Sequence, residues 1–192
     1  MSIKDTLSQL IEDNKSFLTE IEEVISKFSD EQFNWKPIPE KWSAGQIVQH
    51  LFKSDGLYMA NIYGSIIKKS HLKSDNSKKY SLGLMGKFMI NSVVNPNRKS
   101  KMKTMKMFKP TGVKLPISAF NEFKRQQNTF IDQMKESVNL DLKRIKVASP
   151  ASRLIQFSLI DCYNLNVKHN FRHLNQLKEL ITEPAFPKQI TS

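Results

Sequence analysis

Cysteine, glycine and long apolar runs are all scarce in this sequence of 192 residues. The single cysteine, Cys162, excludes an internal disulfide bond and is compatible with a reducing compartment. Six glycines are few for this length, which favours helices over a turn-rich sheet protein. No run approaches the roughly 18 apolar residues of a membrane span, and residues 1–5 lack the basic-then-apolar profile of a signal peptide. We therefore expect a helix-rich protein of the cytoplasm.

The length and the composition fit one globular domain. A chain of 192 residues can bury a sizeable core without disulfides or other cross-links. The apolar fraction of 39% and the charged fraction of 25% are typical of globular proteins. We predict a single domain that spans residues 1–192.

The net charge of +12 is concentrated in one stretch, residues 68–114, which we call the lysine-rich segment. It contains 13 basic residues and one acidic residue, Asp75, whereas the remainder of the chain has 17 of each. Such a segment can form a patch for nucleic acid or anionic lipid. It can also be a solvated loop that keeps the protein soluble, which is the commoner origin of a charge run.

Apolar residues at helical spacing predict helices over residues 3–28, 43–67, 82–94, 118–137 and 158–181. Ser43, Ser118 and Ser158 are the predicted N-caps of three of them. Prolines interrupt residues 33–41, which we interpret as an ordered loop with buried aromatic side chains.

Two stretches between the predicted helices have less definite patterns. Residues 138–157 contain a proline near their middle and are interpreted as a connector. Residues 98–109 alternate lysine with apolar side chains, which fits either an extended edge segment or a basic amphipathic arm. The sequence does not distinguish these two alternatives.

Two of the four histidines, His169 and His173, lie four residues apart in the last predicted helix. Side chains at this spacing share one face, so both rings can lean toward a common point, which suits a divalent metal ion. A catalytic site typically has three protein ligands and an open position, so a third ligand must come from elsewhere. His50 faces inward from the second helix, where a buried imidazole needs either a backbone partner or a metal. His71 has no apolar periodicity around it and is predicted to be exposed.

The remaining polar residues near these histidines do not define a catalytic group. Asp55 follows His50 by five residues, about 140° around a helix, and is interpreted as solvated or paired with a lysine. Gln176 is interpreted as a helix-packing amide, with the orientation of a ligand as the alternative. Cys162 precedes His169 by two turns, roughly 10 Å, and is interpreted as a small buried core residue. No carboxylate is assigned as a general base.

The stretch Trp42-Ser43-Ala44-Gly45-Gln46-Ile47-Val48-Gln49-His50-Leu51 and the later His169-x-x-x-His173-x-x-Gln176 together resemble the DinB-like superfamily. The resemblance spans most of the chain, including a leading amphipathic helix and a proline-bearing loop before the tryptophan-serine helix start. It implies an all-α four-helix bundle with a lysine-rich insert between the second and last helices. The three-histidine metal site of the family then falls on His50, His169 and His173, and His71 is disfavoured.

The resemblance also implies a chemistry. The ion would be zinc or nickel, with positions left open for water or a thiolate. Members of the superfamily include S-transferases and isomerases that use low-molecular-weight thiols, and others described as metal-dependent hydrolases. We therefore expect a metal-dependent transferase or hydrolase that acts on a small molecule. The alternatives are a module that binds nucleic acid through residues 68–114, and a stress-linked scaffold or homodimer whose metal is catalytically idle.

Overall fold

The computed structural model describes residues 1–94 and 104–187, and this part of the chain is mostly helical, as predicted. Four helices are long: α1 (Ile3–Ile25), α3 (Ala44–Lys69), α5 (Ala119–Glu136) and α6 (Leu159–Ile181). Two are shorter: α2 (Asp30–Asn34) and α4 (Leu84–Val93). Among the described helices, none combines the length and the apolar character needed to cross a lipid bilayer.

The four long helices contact one another in a closed cycle. Helices α1 and α3 each pack against both α5 and α6. Their apolar faces enclose a core with two parts, one around Phe130 and Tyr163 and the other around Phe17 and Phe123, all of which are fully buried. Phe171 of α6 packs against both parts and joins them.

Serine residues begin most of these helices. The Ser43 hydroxyl accepts a hydrogen bond from the Gln46 backbone N–H, and the Gln46 side chain accepts one from the Ser43 N–H, both at 3.2 Å. This capping box is the predicted one. Ser158 caps α6 as predicted, but through one bond only, which its hydroxyl accepts from the Asp161 N–H at 3.2 Å. Ser118 precedes α5, but its side chain caps no backbone group, so that prediction was wrong in its mechanism.

A β-hairpin occupies most of the predicted connector. Strands β1 (Lys146–Ser149) and β2 (Ser152–Ser158) pair in antiparallel register, with Val147 opposite Phe157. These two side chains are buried, so the hairpin closes one end of the core. The alternation in β1 covers only four residues, which is too short to separate a strand from a loop in the sequence.

The described part of the lysine-rich segment is packed against the helices. The backbone N–H groups of Ile3 and Lys4 donate to carbonyls of this segment, and the Tyr80 hydroxyl donates to Asp161 of α6 at 2.8 Å. The left-handed backbone at Asn76 lets its side chain donate to the Leu140 carbonyl at 2.8 Å. These contacts make the residues before α4 a structural element of the protein.

The predicted alternation over residues 98–109 lies partly outside the described residues, since positions 95–103 are not described. The described remainder includes one turn of 3-10 helix at Lys106–Phe108.

A buried polar network joins all four long helices, with one side chain from each: Asn14 of α1, Asp55 of α3, Gln127 of α5 and Asn170 of α6. The Gln127 amide donates to the Asp55 carboxyl at 2.7 Å, and its carbonyl oxygen accepts from Asn14 and Asn170 at 3.2 Å. Asp55 is only 1% exposed, so its interpretation as a solvated or lysine-paired residue was wrong. Asp55 and His50 point to different sides of α3. Because α3 packs against both α5 and α6, both sides are buried, and Asp55 faces α5.

Burial of Asp55 changes its protonation. Removal from water raises the pKa of this carboxyl to about 7, although the hydrogen bond from Gln127 opposes the shift. The second carboxyl oxygen of Asp55 and the side-chain oxygen of Asn170 accept no hydrogen bond from any described residue. A proton on Asp55 removes the charge that burial disfavours, so this environment favours the neutral acid.

We predict that Asp55→Asn stabilises the protein at alkaline pH. The unfolded chain releases the Asp55 proton near pH 4, whereas the folded chain retains it up to about pH 7, so this residue's contribution to stability is lost as the pH rises between these values. At about pH 8 the variant should exceed the wild type by roughly 2–4 kcal/mol in the free energy of unfolding. Urea unfolding in a chelating buffer measures the free energy of unfolding of the variant and of the wild type. The difference should shrink toward pH 4, and a difference independent of pH would contradict the assignment.

Candidate metal centre

Three of the four histidines meet where the first turns of α3 lie against α6. The Nε2 atom of His169 lies 3.3 Å from the Nε2 atom of His50 and 3.1 Å from that of His173. The candidate ligand nitrogens all lie within 4.8 Å of one another. The three side chains are between 3% and 7% exposed. His71 is exposed on the surface and takes no part, as predicted.

The nitrogen separations suit a metal ion. Nitrogens bound at about 2.0–2.1 Å to one tetrahedral zinc ion lie about 3.3–3.4 Å apart. Two of the separations in the cluster are 3.3 Å and 3.1 Å. Each neutral imidazole carries a hydrogen on only one of its two nitrogens. When three such nitrogens face one another, at least two lone pairs meet without a hydrogen between them and repel. A cation bound by all three nitrogens removes this repulsion. The three histidines therefore fit a divalent ion.

The local fold explains why the rings face each other. The capping box at Ser43 begins α3 seven residues before His50, which places this histidine on the side of the helix that contacts α6. Trp42, just before the cap, lies over the cluster, with its ring centre 4.9 Å from that of His50 and 6.2 Å from that of His173. The indole thus covers one side of the two rings.

Hydrogen bonds at the opposite ring nitrogens fix the orientation of two histidines. His50 Nδ1 lies 2.8 Å from the Phe108 carbonyl oxygen, and His173 Nδ1 lies 2.9 Å from the Gln176 side-chain oxygen. Because both partners are acceptors, each Nδ1 carries the hydrogen and donates it. The Nε2 lone pairs then point to the centre of the cluster, which is the tautomer that ligation requires.

Of these two hydrogen-bond partners, Gln176 could be considered from the sequence, whereas the Phe108 carbonyl could not. Gln176 bonds to a candidate ligand, so the alternative interpretation of this residue describes it better than the packing role that we favoured. Phe108 belongs to the lysine-rich segment and contributes only its backbone carbonyl. No side-chain pattern signals such a contact, and sequence reasoning missed it.

Burial keeps the three imidazoles neutral. Removal from water lowers the pKa of His50, and it lowers the pKa of His169 and of His173 well below the usual range. The positive charge of Arg172 acts in the same direction on all three. A histidine must be neutral to bind a metal, so at neutral pH the site is not blocked by protons.

The cluster forms part of the wall of a cavity with a volume of about 1410 Å³. Aromatic side chains such as Trp42 and Phe88 and polar groups such as Asn164 line this cavity together with the histidines.

Cys162 is fully buried in the core and makes no contact with the cluster, as predicted, and burial raises the pKa of its thiol far above the usual range. In the described part of the chain, no carboxylate bonds to the three rings, so the structure offers no general base in direct contact with them.

The fold and the site together define a helical protein whose buried three-histidine cluster can hold a metal ion. The sequence model of the DinB superfamily matches residues 17–177, and the chain belongs to this superfamily, as the resemblance implied. The match includes His50, His169 and His173. No curated protein and no solved structure matches the chain.

We predict that His173→Ala lowers the affinity for zinc by more than about 100-fold, since a lost ligand should cost more than a lost partner of a ligand. Alanine is a good helix former, so the helix content should remain. Competition with a chromophoric chelator measures the affinity, and circular dichroism measures the fold. The matched control, His71→Ala, removes an exposed imidazole and should bind zinc like the wild type. Equal losses in both variants would mean that zinc binds elsewhere.

We predict a smaller effect for Gln176→Leu. Loss of the acceptor for His173 Nδ1–H should lower zinc affinity by about 10- to 100-fold, because the ring loses its fixed tautomer and orientation. The same competition assay applies, with Gln156→Leu on the exposed side of β2 as the control. Unchanged affinity in Gln176→Leu would mean that Gln176 only packs between the helices.

Proposed function

We propose that this protein is a metal-dependent enzyme in which His50, His169 and His173 hold a divalent ion, zinc or nickel. The four long helices would form the four-helix bundle of the DinB type, and the lysine-rich segment would be its insert. The observation that carries the proposal is the convergence of three buried Nε2 atoms on one point of a cavity wall. A purely structural set of histidines has no need to face a cavity of this size.

A divalent ion held by the three imidazoles would supply Lewis acidity, which would lower the pKa of a bound thiol or water molecule and raise its ionised fraction at neutral pH. The residues of the chain prepare this site. The Phe108 carbonyl and Gln176 hold two rings in the required tautomer, and burial keeps the rings unprotonated. Trp42 covers two of the rings and limits the approach of bulk water on its side.

The substrates would be small molecules, and we favour a transfer reaction with a low-molecular-weight thiol over hydrolysis. A thiol ionises with a pKa near 8.5, whereas free water has a pKa of about 15.7. A thiol therefore loses its proton more readily than water does, and its attack depends less on a general base. The described residues provide no carboxylate in contact with the histidines, which is compatible with the thiol reaction.

We predict that the zinc- or nickel-loaded protein accelerates the reaction of small thiols with an electrophilic aryl or alkyl halide, and that His173→Ala reduces the rate to background. Thiol consumption and halide release measure the transfer, and a panel of esters and amides measures hydrolysis in parallel. His71→Ala should retain the wild-type rate, because its imidazole is remote from the cluster. Loaded wild-type protein that accelerates neither reaction would reject an enzymatic role of these two types.

A second candidate function is binding of nucleic acid through the lysine-rich segment. Several of its lysines are exposed and form no salt bridge with any described residue: Lys73, Lys78, Lys79, Lys87 and Lys106. Binding of this kind depends on phosphate contacts and weakens steeply with salt. A gel shift at moderate salt tests for this binding.

A homodimer with an idle metal site is the remaining alternative, and sedimentation of the metal-loaded protein tests for the dimer.

A further inference from the structure

Two cations of α6 face the cavity beside the histidines. Lys168 and Arg172 lie one helical turn apart and line the same cavity as His169 and His173. Arg172 is partly buried, whereas Lys168 is exposed.

Neither cation has an anionic partner among residues 1–94 and 104–187. Four carboxylates also line the cavity, three from glutamates and one from Asp13, but none forms a salt bridge with Arg172 or Lys168, and Glu183 is bonded to Lys41 at 2.8 Å. Lys178, farther along the same helix, shows the usual arrangement, since it pairs with Glu20 at 2.6 Å. Arg172 is therefore a partly buried guanidinium whose hydrogen-bond donors remain available on the cavity side.

A guanidinium in this state favours an anionic ligand. Removing part of its hydration costs free energy, which an oxyanion restores through charge-assisted hydrogen bonds. Its planar set of donors matches the two oxygens of a carboxylate or a phosphate group. The lining of the cavity also includes Phe88 and Phe171, which offer apolar contact to the remainder of such a ligand.

We propose that Arg172, assisted by Lys168, binds a carboxylate or phosphate group of the molecule that occupies this cavity. The role as a substrate-binding residue rests on the proposed enzymatic function, but the binding itself does not require a metal. Arg172 lies directly before His173 in α6, so an anionic group held there keeps the ligand beside the three-histidine cluster. The ligand class is a small molecule with an oxyanion at one end and an apolar body.

The test uses the metal-free protein in a chelating buffer and compares probes that differ in charge. Phenylacetate and phenyl phosphate are the anionic probes, and phenylacetamide is the neutral probe. Trp42 lines the cavity and reports binding by fluorescence, and a Trp35→Phe background removes the other tryptophan. We expect at least one anionic probe to bind about tenfold or more tightly than phenylacetamide.

The variants assign this preference to Arg172. Arg172→Gln should lower the preference to about one, Arg172→Lys should retain part of it, and Lys168→Gln should reduce it less. The matched controls are Arg125→Gln and Lys178→Gln. They remove cations that pair with Glu122 and Glu20 outside the cavity, so the preference for the anionic probe should be unchanged.

Two results would overturn the proposal: neither anion binds better than the neutral probe, or the preference persists in Arg172→Gln. Anion binding without zinc or nickel binding would instead support this subsite and reject the metal-dependent function. The affinity for zinc, measured separately on the same protein, therefore distinguishes the two failures.

Discussion

The register of α6 against the other three long helices is the constraint on which the site depends. Asn170 bonds to Gln127 and Asn14, and it lies next to His169 in the sequence. A slip of one residue turns a helix by about 100°, which would remove Asn170 from the buried network and direct the histidines away from His50. Apolar packing alone tolerates such a slip better than a set of paired polar groups does. The network thus selects the arrangement in which the imidazoles meet.

The lysine-rich segment takes part in both the fold and the site. Its residues before α4 bond to α1 and α6, and its later part places the Phe108 carbonyl against His50. A solvated loop that only adds charge would not need either contact. The exposed lysines and the buried contacts are therefore separate properties of one segment, and a change in its backbone would reach the histidine cluster.

The sequence predicted the parts of the protein that depend on local signals. Helical spacing located the long helices, serine caps located two of their starts, and histidine spacing with the family resemblance indicated the three residues that meet. Asp55 was misjudged, because its burial depends on where α5 packs. The hairpin and the Phe108 carbonyl were missed for the same reason, since pairing partners and backbone acceptors are set by tertiary structure and leave little trace in side-chain patterns.

Arg172 lies beside the cluster in α6, and its guanidinium, which pairs with no described carboxylate, favours an anionic ligand at this point of the cavity. Asp55 is neutral below about pH 7, and the three imidazoles are neutral as well, so none of these groups offsets the charge of Arg172. Four carboxylates line the cavity, those of Asp13, Glu40, Glu179 and Glu183, but none of them forms a salt bridge with Arg172. Under the proposed function, a divalent ion bound by neutral ligands retains its charge toward the cavity. Arg172 and Lys168 add to the same potential from one helical turn of α6. Under the two proposals, a thiolate at the ion and an oxyanion at Arg172 would compensate different parts of this field, so one molecule that carries both groups would gain from both.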